Sequence, residues 1–292
     1  MLVKEEVPVQ QATIARSVEC GGTGLHSGQP VRVELSPAAA DEGVVFVGSD
    51  GVPVRATIEA VRSSERATVL GSSCGQASFE TVEHLLAVLS MLRVDNVRVR
   101  VDGSELPAKD GSALPFLALV RGAGRVELPA PCRAIELVAA VEVAEGDRFV
   151  RAEPSAGFRL EYGIEFAHVS IGRQEVAFDR LDAEVFEREI APARTFGFFE
   201  DVESLRAAGL ARGATLENTV VLDDRGLMNE EALRFSDEFV RHKALDLLGD
   251  LALLGAPLRA SVRAEKAGHR LHHQLVRAIL DQAGARRAAA GA

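Results

Sequence analysis

The 292-residue chain has few cysteines, no long apolar run and an N-terminal stretch that is acidic rather than apolar. Its three cysteines, Cys20, Cys74 and Cys132, lie far apart and match no zinc or redox spacing. An odd, sparse set is typical of a reducing compartment and argues against a disulfide framework. No apolar stretch approaches the ~18 residues of a membrane-spanning helix. The N-terminus, MLVKEEVPVQQ, carries acidic residues where a signal peptide needs an apolar run. We therefore expect a soluble, cytoplasmic protein that does not span a membrane.

The chain also lacks a basic excess. Its net charge is −10 and its pI is about 5.3. A general nucleic-acid binder needs a basic face, so this class of function is disfavoured. A small anionic ligand is not excluded, because a few local lysines suffice for one. Hydrophobic residues make up 47% of the chain, enough to bury a core in two domains or one large one.

Short β-branched runs between Gly, Pro and Ser predict strands, and apolar residues three and four apart predict helices. In the first half, strands are predicted at 31–35, 44–47, 67–70 and 96–101, and helices at 81–92 and 114–120. In the second half, strands are predicted at 134–143, 148–153, 158–166 and 258–264, and helices near 237–254 and at 269–280.

The same order of elements occurs twice: strands, a long helix, a strand, a glycine-marked turn and a second helix. This repeat predicts an internal duplication of one α+β unit. Prolines and small residues at 128–132 mark the boundary, which gives domains at 1–128 and 129–284. Residues 195–223 have no counterpart in the first half and are interpreted as an insert with its own short helix and strand. Residues 285–292 are expected to be a frayed tail.

The stretch FVRHKALDLLGD (239–250) places charged residues on an otherwise apolar helix. His242, Asp246 and Asp250 are four residues apart and therefore share one face. The pair His242 and Asp246 can hold a divalent metal, or it can make an ordinary intrahelical hydrogen bond. If VRH (240–242) is aligned with VEH (82–84), His84 matches His242. The two imidazoles would then meet at the junction of the two domains.

Two histidines and an aspartate form a complete protein ligand set for a catalytic zinc with one open position. Glu83 precedes His84, and consecutive helical residues diverge by roughly 100°. Its carboxylate could therefore reach the attacking water without competing for the metal, or it could simply be a solvated helix residue. His269 follows Gly268 at a helix start and could donate a proton to a leaving group, with Asp250 as its partner. The alternative is that the side chain of His269 simply faces solvent.

Four other histidines receive no catalytic assignment: His26, His168, His272 and His273. His272 and His273 are expected on the surface of the last helix. His26 lies in the glycine-rich stretch GGTGLHSG (21–28), which is a weak phosphate signal because it is not a strand–GxGxxG–helix arrangement.

Several blocks, in order along nearly the whole chain from about residue 12 to 281, resemble the UDP-3-O-acyl-N-acetylglucosamine deacetylases. They are GGTGLHSG (21–28), TVEHLLAVL (81–89), ELPAKDGSALPF (105–116), ARTFGF (193–198), LRFSDEFVRHKALDLLGD (233–250) and KAGHRL (266–271).

The resemblance implies a zinc amidase of lipid A biosynthesis that removes the N-acetyl group of a UDP-3-O-acyl-glucosamine. It implies a layered sandwich of two α+β domains, each a small β-sheet packed on two helices. The substrate is a small UDP-acyl-sugar, and we expect a monomer. The stretch RATVL (66–70) lacks a cysteine that some relatives have near the metal, so iron(II) is the alternative to Zn2+. Lys109 and the pair His272–His273 are further departures from the family pattern.

The resemblance also implies roles for individual residues. Its metal ligands are His84, His242 and Asp246; its catalytic residues are Glu83 as general base, His269 with Asp250 as proton donor, and Thr195 for the oxyanion; its substrate contacts are Phe196, Lys243 and Lys266.

A non-catalytic alternative is a duplicated scaffold whose zinc only clamps two domains. A structural zinc usually has four protein ligands. The three ligands with a neighbouring glutamate favour catalysis.

Overall fold

A computed structural model describes residues 9–73, 75 and 77–290, with side chains described as far as residue 282. Residues 1–8 of the predicted first domain, Cys74, and residues 291–292 of the predicted tail lie outside the described residues. The remaining part of that tail, residues 285–290, continues the last helix.

The first half contains ten strands and two α-helices among its described residues. They are β1 (Gln10–Ile14), β2 (Val18–Thr23), β3 (Pro30–Pro37), β4 (Val44–Val47), β5 (Pro53–Arg55), β6 (Val61–Ser63), β7 (Val69–Gly71), β8 (Ser78–Phe79), α1 (Glu83–Met91), β9 (Val97–Asp102), α2 (Leu114–Ala123) and β10 (Arg125–Pro131).

The described second half contains nine strands and four α-helices. They are β11 (Ile135–Glu136), β12 (Val141–Glu145), β13 (Arg148–Pro154), β14 (Arg159–Phe166), β15 (Gly172–Phe178), α3 (Ala183–Val185), β16 (Phe196–Phe198), α4 (Val202–Ala207), β17 (Val220–Asp223), β18 (Gly226–Leu227), α5 (Glu238–Leu251), β19 (Leu258–Glu265) and α6 (His269–Ala290).

The main sheets of the two halves have the same topology. The strand order is β2-β3-β9-β4-β5 in the first and β12-β13-β19-β14-β15 in the second. In each sheet the strand that follows the long helix enters at the centre. It pairs antiparallel on one side, with β3 or β13, and parallel on the other, with β4 or β14. The predicted α+β architecture with an internal duplication is confirmed.

The central strands alternate as their sequences predict. In β9, VRVRVD, the valines are buried and the charged residues are exposed. In β19, LRASVRAE, every second residue is buried. This period of two directs one face of each sheet toward the helices and the other toward solvent. The helices α1 and α5 pack against each other between the halves, α1 also contacts α2, and α5 also contacts α6.

The contact between α1 and α5 is unusually close at Gly249. A Cβ atom at this position would lie 2.1 Å from the carbonyl oxygen of Glu83 and 2.8 Å from its Cα. Any side chain would therefore overlap backbone, which cannot move aside as a flexible side chain can. The two helices that carry the predicted metal ligands can pack at this distance only because residue 249 is glycine.

Other features extend the predicted organisation. The insert forms a sheet, β16-β17-β18, that continues to Leu227, beyond the predicted end at 223. A second small sheet, β6-β7-β8, lies in the first half, where one strand at 67–70 is predicted. The predicted boundary at 128/129 falls inside β10, which pairs with β1. Among the described helices, none combines the length and apolarity that crossing a bilayer requires.

We predict that Gly249→Ala destabilises the protein and separates α1 from α5. Overpacking of this kind costs about 1–3 kcal/mol or more, because the added methyl group would overlap the backbone of Glu83. The free energy of unfolding is measured by denaturant titration.

The matched control is Gly122→Ala in α2, where a Cβ atom meets nothing within 4 Å. Alanine favours a helix over glycine by roughly 1 kcal/mol, so this variant should be as stable as the wild type or more stable. Equal stability of the two alanine variants would contradict the close-packing interpretation.

Candidate active site

Eight of the ten predicted site residues, all except Asp250 and Lys266, line one cavity of about 320 Å³ at the junction of the two halves. One wall is polar and is formed by residues of α1, α5 and the start of α6. A second wall is apolar and includes side chains of the insert. Its members include Leu25, Phe116, Phe166, Phe198, Val202 and Leu205. A concave site with convergent polar groups and a long apolar wall is suited to an amphiphilic small molecule.

His84, His242 and Asp246 converge on one point of this cavity. Nε2 of His84 and of His242 lie 3.7 Å and 3.4 Å from Oδ1 of Asp246, and the two rings are 5.1 Å apart between centroids. Ligand atoms on a tetrahedral zinc with bonds of about 2.0–2.1 Å lie roughly 3.3–3.4 Å apart. The spacing of the three groups therefore fits a single metal ion with little movement.

The hydrogen bonds of His242 support this fit. Its Nδ1 lies 3.2 Å from the carbonyl oxygen of Ala193, so Nδ1–H donates there and the lone pair of Nε2 faces the cluster. This is the usual outer partner of a metal-ligating histidine. Burial lowers the pKa of His242 to about 3, which keeps the imidazole neutral and able to bind a metal.

Asp246 is buried but ionised. Burial would raise the pKa of its carboxyl group, but Lys243, His242 and His84 together hold it well below its usual value. The Lys243 ammonium lies 2.8 Å from Asp246 Oδ2, which leaves Oδ1 facing the two imidazoles. The site therefore presents an ionised carboxylate, that of Asp246, beside the neutral imidazole of His242.

Glu83 lies beside this cluster. It is 3% exposed, and its Oε2 accepts a hydrogen bond from the backbone N–H of Thr68 at 3.1 Å. One oxygen of Glu83, one of Asp246 and one nitrogen of His269 lie within 4.8 Å of one another. Burial raises the pKa of the Glu83 carboxyl group, which makes it a stronger base than a solvated glutamate.

His269 and Asp250 form a buried pair. Nδ1 of His269 lies 2.7 Å from Oδ2 of Asp250. Burial alone would lower the pKa of His269, but the Asp250 carboxylate outweighs it and raises the pKa to about 9. The imidazolium is therefore the stable form at neutral pH, and its Nε2–H is free of this pair.

The expectation that His272 and His273 lie on the helix surface is wrong. Both are 0% exposed, and both contact Asp250: His272 Nδ1 at 2.8 Å from Oδ2 and His273 Nε2 at 3.1 Å from Oδ1. The reason is helical geometry, since positions 269, 272 and 273 follow the i, i+3, i+4 spacing of one face. That face of α6 packs against α5. The spacing indicates that the three histidines share one face, and only the packing of the helices shows that this face is buried.

Thr68 is a buried contact of the site that the sequence patterns do not indicate. Its hydroxyl donates to Asp250 Oδ1 at 2.5 Å, and its backbone N–H donates to Glu83. It therefore links the two carboxylates. A threonine just before a short strand, β7, has no distinctive spacing, so only the structure reveals this contact.

Thr195 and Phe196 line the cavity from the insert. The preceding residue, Arg194, is buried and donates from its backbone N–H and from Nε to Glu238 Oε1, both at 2.9 Å. This ion pair joins the start of the insert to the first turn of α5. A buried pair of this kind stabilises one orientation only when both partners are present, and it holds Thr195 next to the metal-ligand helix.

The predicted substrate lysines differ in their surroundings. Lys243 lines the cavity, with its ammonium 5.5 Å from the centre of the Phe196 ring. Lys266 instead forms ion pairs with Asp147 and Glu165, and its role remains a prediction. His26 lines the cavity, and its backbone N–H donates to Glu105 Oε1 at 2.7 Å. Lys109 donates to the Gly21 carbonyl at 2.8 Å.

We predict that His269 in the metal-free protein carries two ring protons at about pH 7 and loses one near pH 9. In Asp250→Asn the hydrogen-bonded carboxylate is gone and only the Glu83 and Asp246 carboxylates still oppose burial, so the pKa of His269 should fall from its wild-type value. Nitrogen chemical shifts of labelled histidine measure the pKa of His269 in the wild type and in the variant. His272 is the internal reference, because burial lowers its pKa. A neutral His269 at about pH 7 in the wild type would contradict the prediction.

The chain is similar to known proteins along nearly its whole length. Residues 11–281 match the family model of LpxC, UDP-3-O-acyl N-acetylglycosamine deacetylase. A UDP-3-O-acyl-N-acetylglucosamine deacetylase of Campylobacter hominis is 43% identical over 94% of this chain and 93% of its own. Those of Anaeromyxobacter dehalogenans and Phenylobacterium zucineum are 45% and 46% identical, over 95% and 92% of this chain and 89% and 92% of their own. The chain belongs to the UDP-3-O-acyl N-acetylglycosamine deacetylase (LpxC) family.

Proposed function

We propose that this protein hydrolyses the N-acetyl group of UDP-3-O-acyl-N-acetylglucosamine in lipid A biosynthesis, with a zinc ion held by His84, His242 and Asp246. The observation that carries the proposal is the convergence of this ligand set with Glu83 and His269 at one end of a cavity whose other wall is apolar. The products are acetate and UDP-3-O-acyl-glucosamine.

The donor set suits zinc, since two imidazoles and one carboxylate leave a fourth position open. When bound, the ion would polarise the acetamide carbonyl and lower the pKa of the attacking water to around 7. Iron(II) is the alternative metal for the same donors. Reconstitution of the metal-free protein with each ion, followed by activity measurement, separates the two.

The chain's own residues would supply the proton transfers. Glu83 accepts a proton from the water as the water oxygen attacks the amide carbon. Thr195 donates a hydrogen bond from its hydroxyl group to the oxyanion that develops on the former carbonyl oxygen. His269, kept protonated by Asp250, donates a proton to the departing nitrogen as the C–N bond breaks.

The apolar wall would receive the 3-O-acyl chain. Phe166, Phe198, Val202 and Leu205 all face this cavity, and burial of hydrocarbon gives about 0.8 kcal/mol per CH₂. Phe196 and Lys243 are proposed to contact the sugar and the anionic nucleotide, and Lys266 the nucleotide.

The direct test is incubation of the protein with UDP-3-O-acyl-N-acetylglucosamine, with and without a chelator, followed by mass measurement of the product. We expect deacetylated product only in the sample without chelator. Full activity after complete metal removal would contradict the proposal. A protein that binds zinc without any turnover would instead support the structural clamp.

We predict that Glu83→Gln lowers kcat by about 10²–10⁴-fold, because the amide cannot accept the proton. Its metal content should stay at the wild-type level, since Glu83 is outside the proposed ligand set. Metal analysis and steady-state kinetics measure the two quantities. The control is Glu80→Gln, a half-buried carboxylate three residues earlier, which should retain activity. Unchanged turnover in Glu83→Gln would exclude Glu83 as the base.

We predict that Thr195→Val lowers kcat by about 10²–10³-fold with little change in KM, because one oxyanion donor is lost while the side-chain shape is kept. Thr219→Val is the matched control. Thr219 also lines the cavity, but its hydroxyl donates to Asn218 Oδ1 at 3.0 Å. If both valine variants lose activity equally, the effect is one of packing and the oxyanion role of Thr195 is excluded.

A further inference from the structure

The Asp250 carboxylate accepts hydrogen bonds on both oxygens from four side chains. His269 and His272 contact Oδ2 at 2.7 and 2.8 Å. His273 and Thr68 contact Oδ1 at 3.1 and 2.5 Å. A carboxylate has about four lone-pair sites, so this group is saturated. With 0% exposure, it cannot exchange a lost partner for bulk water.

The two Oδ2 contacts have different consequences. His269 lines the cavity, whereas His272 is not among the residues described as lining it. His272 contacts the same oxygen from one turn further along α6. Its other ring nitrogen, Nε2, lies 3.0 Å from the hydroxyl oxygen of Tyr162. His272 thus contacts the oxygen that orients His269, but it does not itself line the cavity.

The protonation of His272 follows from its partners. A carboxylate only accepts, so the hydrogen must lie on Nδ1, and Nε2 then accepts from a donor. The donor is Tyr162, whose single hydroxyl hydrogen is shared with the Ala267 carbonyl, also at 3.0 Å. Burial lowers the pKa of His272, in agreement with one ring hydrogen. Tyr162 is the only tyrosine of the chain and is 1% exposed.

We propose that His272 is a positioning residue, which, held by Tyr162, fixes Asp250 Oδ2 in the orientation that receives His269 Nδ1–H. The inference rests on the proposed deacetylase function, in which His269 donates the proton to the leaving nitrogen. Through Ala267, Tyr162 also anchors the turn that precedes His269. Loss of the His272 donor would leave Oδ2 with one partner and let the carboxylate rotate away from the productive geometry.

The test compares His272→Phe, which keeps a ring but has no donor, with His272→Asn, whose side-chain amide can donate from nearly the place of Nδ1. We expect His272→Phe to lower kcat by about 10–100-fold, the usual effect of losing an outer-shell partner, with KM and metal content unchanged. The asparagine variant should recover most of this loss. Thermal unfolding of each variant separates loss of fold from loss of positioning.

A second readout is independent of turnover. In the metal-free protein the His269 Nδ1–H should give a far-downfield proton resonance, present in the wild type and in His272→Asn and lost or shifted in His272→Phe. If His272→Phe does not fold, Tyr162→Phe removes only the hydroxyl and should shift the same resonance and lower kcat several-fold.

The outcomes separate the two proposals. A wild-type protein that does not deacetylate the substrate overturns the proposed function, and the His269 resonance still decides the positioning of His269. Unchanged kcat and an unchanged resonance in folded His272→Phe overturn the positioning role. Equal loss of kcat in the phenylalanine and asparagine variants would also overturn it, since the donor would then not matter.

Discussion

The close contact between the backbones of α1 and α5 is the constraint on which the site depends. Gly249 lies against the carbonyl group and Cα of Glu83, and each neighbour of this contact is a site residue: His84 follows Glu83, and Asp250 follows Gly249. The two imidazoles lie 3.4–3.7 Å from Asp246, and these distances tolerate little displacement. A wider separation of the two helices would therefore move His84 away from His242 and Asp246. The glycine at position 249 thus determines how close the two helices, and with them the side chains of the cluster, can come.

Around this contact, the protein buries carboxylates and imidazoles that would be costly singly but are paired. The two best-defined imidazoles are driven in opposite directions. Burial lowers the pKa of His242 to about 3, whereas the Asp250 carboxylate outweighs burial at His269 and raises its pKa to about 9. One ring is thereby suited to donate a lone pair and the other to donate a proton, although both are fully buried histidines. The difference arises from partners, not from burial.

The duplicated architecture explains how two similar units form one asymmetric site. The two sheets share strand order and orientation, and their long helices lie side by side. The first helix contributes adjacent residues, Glu83 and His84, whereas the second contributes one face, His242, Asp246 and Asp250. Neither half holds the complete set. The insert then adds Thr195 and the apolar wall, anchored to α5 by the buried pair of Arg194 and Glu238.

The sequence by itself determined the elements and the repeat, because periods of two and of three to four residues are local properties. It also determined that His242, Asp246 and Asp250 share one face, since this follows from helical spacing alone. Only the tertiary structure decided what that face meets. The spacing of His269, His272 and His273 describes a face of α6 but not whether it packs inward, so the last two were misplaced. Thr68, Tyr162 and Glu105 have no pattern at all. Contacts between residues some 100 to 200 positions apart depend on how the helices and sheets pack, and packing is a property of the whole core.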